Sequence, residues 1–127
     1  MSRSPGHQKW PHHQVSEQPV RERVTVELDG ELLADSRDVI RVEEDNHPVR
    51  FYFPRGDVRM QRLERSTSTS ECPFKGVARY FNLNAGTEPL KDAVWTYETP
   101  YDEHQTLQNR LAFYDDKYRQ IRVQVER

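Results

Sequence analysis

Val24-Thr25-Val26-Glu27-Leu28-Asp29-Gly30-Glu31 decides the fold class. Val24, Val26 and Leu28 alternate with Thr25 and Glu27, the period-two pattern of a strand with one buried face. Asp29-Gly30 follows at once, a pair suited to a two-residue hairpin turn because both positions accept positive φ. The partner strand is then Glu31 to Ala34. Further along, Val39, Ile40 and Val42 mark a short strand that ends in the acidic run Glu43-Glu44-Asp45, with Asn46-His47-Pro48 as a turn. Val49 to Phe53 is a β-branched and aromatic strand stopped by Pro54, and Arg55-Gly56-Asp57 reads as a tight connection into a strand from Val58 to Leu63. Ser66 to Ser70 reads as a polar loop, and Val77–Leu83 and Ala93–Tyr97 as strands.

Asp102, with Gln105 as its capping-box partner and Leu107 and Leu111 four apart, predicts one helix. Phe113-Tyr114, a turn at Asp115-Asp116-Lys117, and Ile121, Val123 and Val125 predict a closing hairpin. About eight or nine short strands with one short helix define a mainly β fold, α+β at most. The architecture expected is a compact antiparallel β-barrel or folded sheet, not a doubly wound nucleotide-binding fold.

The chain has 127 residues, 34% of them hydrophobic and 31% charged, and a mean hydropathy of -1.03. That length fits one domain. No apolar run approaches the roughly 20 residues of a membrane span, and no secretory signal is visible. The net charge of -2 argues against binding driven by nucleic-acid phosphates. Cys72 is the single cysteine, which excludes an intramolecular disulfide framework and points to a reducing, cytoplasmic setting. Residues 1–22 hold three of the eight prolines and three of the five histidines, with Met1, Trp10, Val15 and Val20 as their only large apolar residues. They read as a disordered or loosely docked polar tail. Residues 23–127 form a single domain that holds 12 of the 13 aromatic residues, which bury large areas with few side chains.

Three segments can carry chemistry. In Cys72-Pro73-Phe74-Lys75-Gly76 a thiol, an ammonium and a glycine lie within five residues. A neighbouring cation stabilises thiolate, and a glycine lets backbone N–H groups approach an anion. The plainer reading is a buried thiol, a proline turn and a solvated lysine. In Tyr52-Phe53-Pro54-Arg55-Gly56-Asp57, Arg55 is a planar donor suited to carboxylate or phosphate and Asp57 a partner to orient it. An ordinary surface ion pair is the alternative. Trp95 and Tyr97 share one strand face, as core, as pocket wall, or as both. The histidines form no metal motif, and no phosphate-binding loop or nucleophile elbow occurs.

In order, the Asp29-Gly30 hairpin, Tyr52–Met60, Cys72–Gly76, Ala93–Tyr97 and Leu111–Tyr114 resemble the bacterial domain of unknown function 427 family, over roughly residues 24–125. That family is also labelled nucleotidyltransferase-like. The resemblance implies a compact, mostly β domain akin to beta-tent folds. Those folds often hold zinc on paired Cys motifs, and a chain with Cys72 alone lacks that zinc site. Metal-dependent nucleotidyl transfer needs clustered carboxylates, and the motif segments offer Asp57 and little else. Taken together, Arg55, Asp57, Cys72, Lys75, Gly76, Trp95 and Tyr97 are expected to converge on one pocket for a small anionic molecule. Cys72 and Lys75 are the candidate catalytic pair, and the other five bind ligand. No cofactor, metal, nucleic acid or membrane is expected, and the protein is expected to be a monomer or weak homodimer. A non-catalytic protein-interaction module is the competing reading.

Overall fold

The computed structural model describes residues 3–86 and 88–126. Met1, Ser2, Thr87 and Arg127, the first two within the expected tail, lie outside the described residues. A short helix α1 (Pro5–Lys9) is followed by ten strands: β1 (Val15–Val20), β2 (Val24–Leu28), β3 (Glu31–Ser36), β4 (Val39–Glu44), β5 (Arg50–Tyr52), β6 (Leu63–Cys72), β7 (Gly76–Asn84), β8 (Pro89–Tyr97), β9 (Leu111–Phe113) and β10 (Ile121–Val125). They make three antiparallel sheets, ordered β1-β4-β5, β10-β2-β3 and β6-β7-β8-β9. The fold is mainly β, with folded sheets and no closed barrel among the described residues. No described helix is long and apolar enough to cross a membrane.

The β2–β3 hairpin forms as its sequence predicts. Asp29 and Gly30 take φ of 49° and 84°, and Val24, Val26 and Leu28 are all buried. The four-stranded sheet carries a separate core on each face, because successive strand residues point in opposite directions. Phe81, Val94, Leu111 and Phe113 pack with Val24, Val26, Leu33 and Ile121 of the β10-β2-β3 sheet. Ala78, Trp95, Tyr97 and Ala112 pack with Ile40, Val42 and Tyr52 of the β1-β4-β5 sheet. β4 and the β5 segment serve both cores: Val39 and Phe53 enter the first, Ile40 and Tyr52 the second.

Several elements differ from the sequence reading. Within residues 1–22, expected to be a disordered or loosely docked tail, β1 pairs with β4 from Val15↔Glu44 to Val20↔Val39. β1 is an edge strand, where Pro19 is tolerated. Its ordering entropy is offset by a backbone ladder and polar contacts, with Val15 and Val20 half-buried against the two cores. Val58 to Leu63 is not a strand. Two 3₁₀ turns, Arg55–Asp57 and Met60–Arg62, frame Val58, which bridges Ala34. Ser66 to Ser70 is not a loop but the middle of β6, where an edge strand tolerates polar residues on both faces. The predicted helix is two merged 3₁₀ turns over Asp102–Leu107, kinked at His104. Asp102 does not cap it; Tyr101 holds the cap position. The closing hairpin splits, β9 joining β8 and β10 joining β2.

Candidate functional site

Cys72 and Gly76 face each other as the last rung of the β6–β7 ladder, so Pro73, Phe74 and Lys75 form a three-residue hairpin turn. Gly76 takes φ +124°, a conformation that other residues rarely adopt. A Cβ there would also stand 3.3 Å from the Thr99 carbonyl oxygen. The turn is held from both sides. Tyr101 N–H donates to the Lys75 carbonyl at 2.9 Å. From the N-terminal segment, Gly6 N–H and the Ser4 hydroxyl both donate to the Pro73 carbonyl at 2.7 Å. A clamped turn of this kind fixes the direction of Lys75.

That direction is inward. The Lys75 and Glu44 side chains are each only 7% exposed, and the ammonium donates to the Glu44 carboxylate. Lys75 Nζ also stands 3.7 Å from Cys72 Sγ, within reach of a weak hydrogen bond to sulfur. Glu44 accepts a second bond from His13 Nε2 at 2.9 Å, and His47 Nε2 lies 3.5 Å away. Burial pushes the Glu44 carboxyl upward in pKa. The bonds from Lys75 and His13 outweigh it and hold the group below its ordinary value.

Beside this pair lies a cavity of about 330 Å³ between β4–β5 and the four-stranded sheet. Its walls are aromatic: Tyr52, Tyr80, Trp95, Tyr97 and Tyr114, with Cys72 and Lys75 at the turn. Trp95 Nε1–H donates to the Tyr52 hydroxyl at 3.1 Å, and the Tyr80 and Ser70 hydroxyls are bonded at 2.7 Å. Burial raises the pKa of Tyr52 and Tyr97 well above the ordinary phenol value, so both stay neutral. Burial and a hydrogen bond with Tyr80 push Tyr114 up to about 12. Arg50 lies 5.1 Å from both the Trp95 and Tyr114 ring centroids and binds Asp116 through two N–H groups at 3.0 and 3.2 Å.

Of the seven residues singled out by sequence, Cys72, Lys75, Trp95 and Tyr97 line this cavity, and Gly76 closes the turn that presents Lys75. Arg55 and Asp57 do not join them, which corrects the expectation of one shared pocket. Arg55 Nε–H donates to the Asn109 carbonyl at 2.8 Å, and its terminal NH₂ reaches the Thr96 hydroxyl. Thr96 lies between Trp95 and Tyr97 in β8 and points to the opposite face. Asp57 does not orient Arg55; it accepts from the Ser36 hydroxyl at 2.6 Å. Their 3₁₀ turn sends the two side chains apart. Sequence reasoning missed Glu44, Arg50, Tyr80 and Tyr114. Glu44 was hidden in an acidic run, yet it lies two residues beyond buried Val42 on the same strand. Continuing the alternation one more step places it facing inward.

The N-terminal segment adds a second polar chain next to the turn. His7 and His104 are joined Nε2 to Nε2 at 2.9 Å, one ring donating and the other accepting. His104 is buried, and its Nδ1 meets the Glu17 carboxylate, which also accepts from Thr106. His13 stacks on Phe74, with ring centroids 4.0 Å apart. Among the described residues, no group of three or more His, Cys, Asp and Glu side chains is placed to hold a metal ion.

A mainly β domain, with a clamped hairpin turn that feeds a lysine into an aromatic cavity, is the class of protein defined here. The sequence profile of the family described as a domain of unknown function (DUF427), short name NTP_transf_9, matches residues 16–124, and the chain belongs to that family. The match takes in nearly all of β1, within the segment expected to be a tail, and stops short of α1 and His13. No curated protein matches the chain.

Proposed function

We propose that the protein binds a small ligand with a planar body and an acidic head in the cavity beside Lys75. The observation that carries this reading is the buried Lys75–Glu44 pair at one end of an aromatic-walled cavity. Taking both charges out of water costs several kcal/mol per ion before their attraction is counted, so such a pair is poor evidence for a stabilising role. Next to a cavity of ligand size it supplies a fixed donor and a fixed acceptor. Arg50, held against Trp95 and Tyr114, is the second cation on the cavity wall. The rings give a planar ligand stacking surfaces, and the tyrosine hydroxyls stay neutral donors at physiological pH.

Lys75 acts as donor to the ligand's acidic head, with the Cys72 thiol beside it at 3.7 Å. Benzoate is the simplest probe with the right chemistry. It is expected to raise the melting temperature of the native chain and to slow alkylation of Cys72 by iodoacetamide at pH 7. Both effects are expected to vanish in Lys75→Met combined with Glu44→Leu, a variant that leaves no buried unpaired charge. Equal stabilisation of that double variant, or none of the native chain at millimolar benzoate, contradicts the reading.

A further inference from the structure

Arg55, the residue that left the expected pocket, joins a different group on the opposite face of the four-stranded sheet. Arg65 of β6, Arg79 of β7 and Arg55 of the first 3₁₀ turn all converge on one carboxylate, Glu98, one residue beyond β8. Arg65 grips it with two N–H groups at 2.9 and 3.1 Å. Arg79 Nε stands at 3.3 Å and the Arg55 terminal NH₂ at 3.8 Å. Among the described residues, Glu98 is the one carboxylate within ion-pair distance of these three guanidiniums. The group therefore carries a surplus of two positive charges.

The cluster is built rather than incidental at its inner edge. Arg55 is pinned by the Asn109 carbonyl and the hydroxyl of fully buried Thr96, and lies 5.7 Å from the Phe81 ring centroid. Asn109 is fixed in turn by its N–H bond to the Tyr97 carbonyl at 2.9 Å. Arg65 and Arg79 are the exposed jaws, with side chains 52% and 47% exposed. Three guanidiniums offer about fifteen N–H donors, whereas one carboxylate has about four lone-pair sites. Glu98 cannot saturate them. A phosphate monoester, with three terminal oxygens and a charge near −2, matches both the donor surplus and the charge surplus.

We propose that Arg55, Arg65 and Arg79 form a second, separate site for a phosphate monoester group, with Glu98 as a built-in competing anion that occupies it when no phosphate is bound. The site lies across the sheet from the aromatic cavity, so it stands or falls independently of the ligand assigned there. An internal competitor lowers apparent affinity by the fraction of time it fills the site. Removing its charge must therefore tighten phosphate binding, whereas removing an ordinary member of a binding surface weakens it.

Calorimetric titration of the full chain with methyl phosphate, a monoester without the planar body that the aromatic cavity takes, tests this, with inorganic phosphate as a second probe and methanol as the control without phosphate. Glu98→Gln is expected to tighten methyl phosphate binding about tenfold if Glu98 occupies the cluster about nine-tenths of the time. Arg65→Gln with Arg79→Gln is expected to abolish it. Lys75→Met with Glu44→Leu is expected to leave it unchanged. Unchanged or weaker binding in Glu98→Gln overturns the proposal. So does binding that survives loss of the two arginines, or binding lost with Lys75 and Glu44, which would place the phosphate in the cavity. The exposed positions of Arg65 and Arg79 allow each variant to be checked for native circular dichroism before titration.

Discussion

The two faces of the four-stranded sheet pair carboxylates with cations in opposite ways. On one face Glu44 meets Lys75 with both side chains 7% exposed. On the other Glu98, 30% exposed, meets three arginines that are 33 to 52% exposed. Charge attraction is the same in kind, but the surroundings decide its consequences. Near water an ion pair is screened and contributes little to stability, so its partners are free to exchange for a ligand. Away from water the pair cannot be opened singly without stranding a charge. The buried pair is therefore a fixed wall, and the exposed cluster is an adjustable grip.

The largest effect expected from this contrast is on the buried side. Lys75→Met alone leaves Glu44 buried with only His13 and His47 beside it, and a cost of about 3–5 kcal/mol is expected in denaturant unfolding. Combining it with Glu44→Leu is expected to recover most of that loss. If the single and double variants are equally destabilised, the pair is not the desolvated unit described above.

Next in size is the clamp on the turn. Gly6→Ala places a Cβ 2.6 Å from the Pro73 carbonyl oxygen, a rigid backbone atom, so α1 must shift from the hairpin. A loss of about 1–3 kcal/mol is expected, with faster amide exchange confined to the N-terminal segment. Uniform loss of protection across the sheets would show that α1 is not an independent clamp.

The pH dependence has two stages. Burial, and then the neighbouring His104, lower the pKa of His7 below its ordinary 6.5; Glu103, Glu44 and His13 also act on it. The unfolded chain thus binds this proton more readily than the folded one, so stability falls as pH drops below about 6.5. The His7–His104 bond also needs at least one unprotonated ring nitrogen, and α1 should loosen in the same range. Glu44 has the second signature. Its depressed pKa contributes stability that is intact above about 4.5 and is lost as pH falls further. Amide exchange of Gly6 and His7 measured against pH checks the first stage, and His7→Gln is expected to flatten it. An unaltered profile in that variant assigns the transition to another group.

The smallest stability effect belongs to the exposed cluster, where Glu98→Gln is expected to cost under about 1 kcal/mol. A larger cost would mean that Glu98 holds the sheet together and is not a displaceable occupant.

How much of this was legible in the sequence depended on whether the deciding contact was local. The β2–β3 hairpin was legible because alternation and turn chemistry lie in one stretch. Cys72, Lys75, Trp95 and Tyr97 were legible as site residues because the turn and strand that carry them are local too. Arg55 was misplaced, since only the pairing of β8 with β7 and β9 shows which face Thr96, and hence Arg55, occupies. β1 escaped for a related reason. Its strand character rests on a ladder with β4, distant in sequence, and its polar, proline-bearing sequence gives no alternation to read. The Asp102 helix failed because the kink at buried His104 is set by Glu17 and His7, both from the far end of the chain.

The central claim is that the cavity beside Lys75, and not the arginine face, takes a planar acidic ligand. Titration of isotope-labelled protein with benzoate, monitored by NMR, tests it most directly. Saturable shifts are predicted at Cys72, Lys75, Trp95 and Tyr114, with Arg65 and Arg79 unmoved. Shifts confined to the arginine cluster, or none at millimolar benzoate, would contradict it.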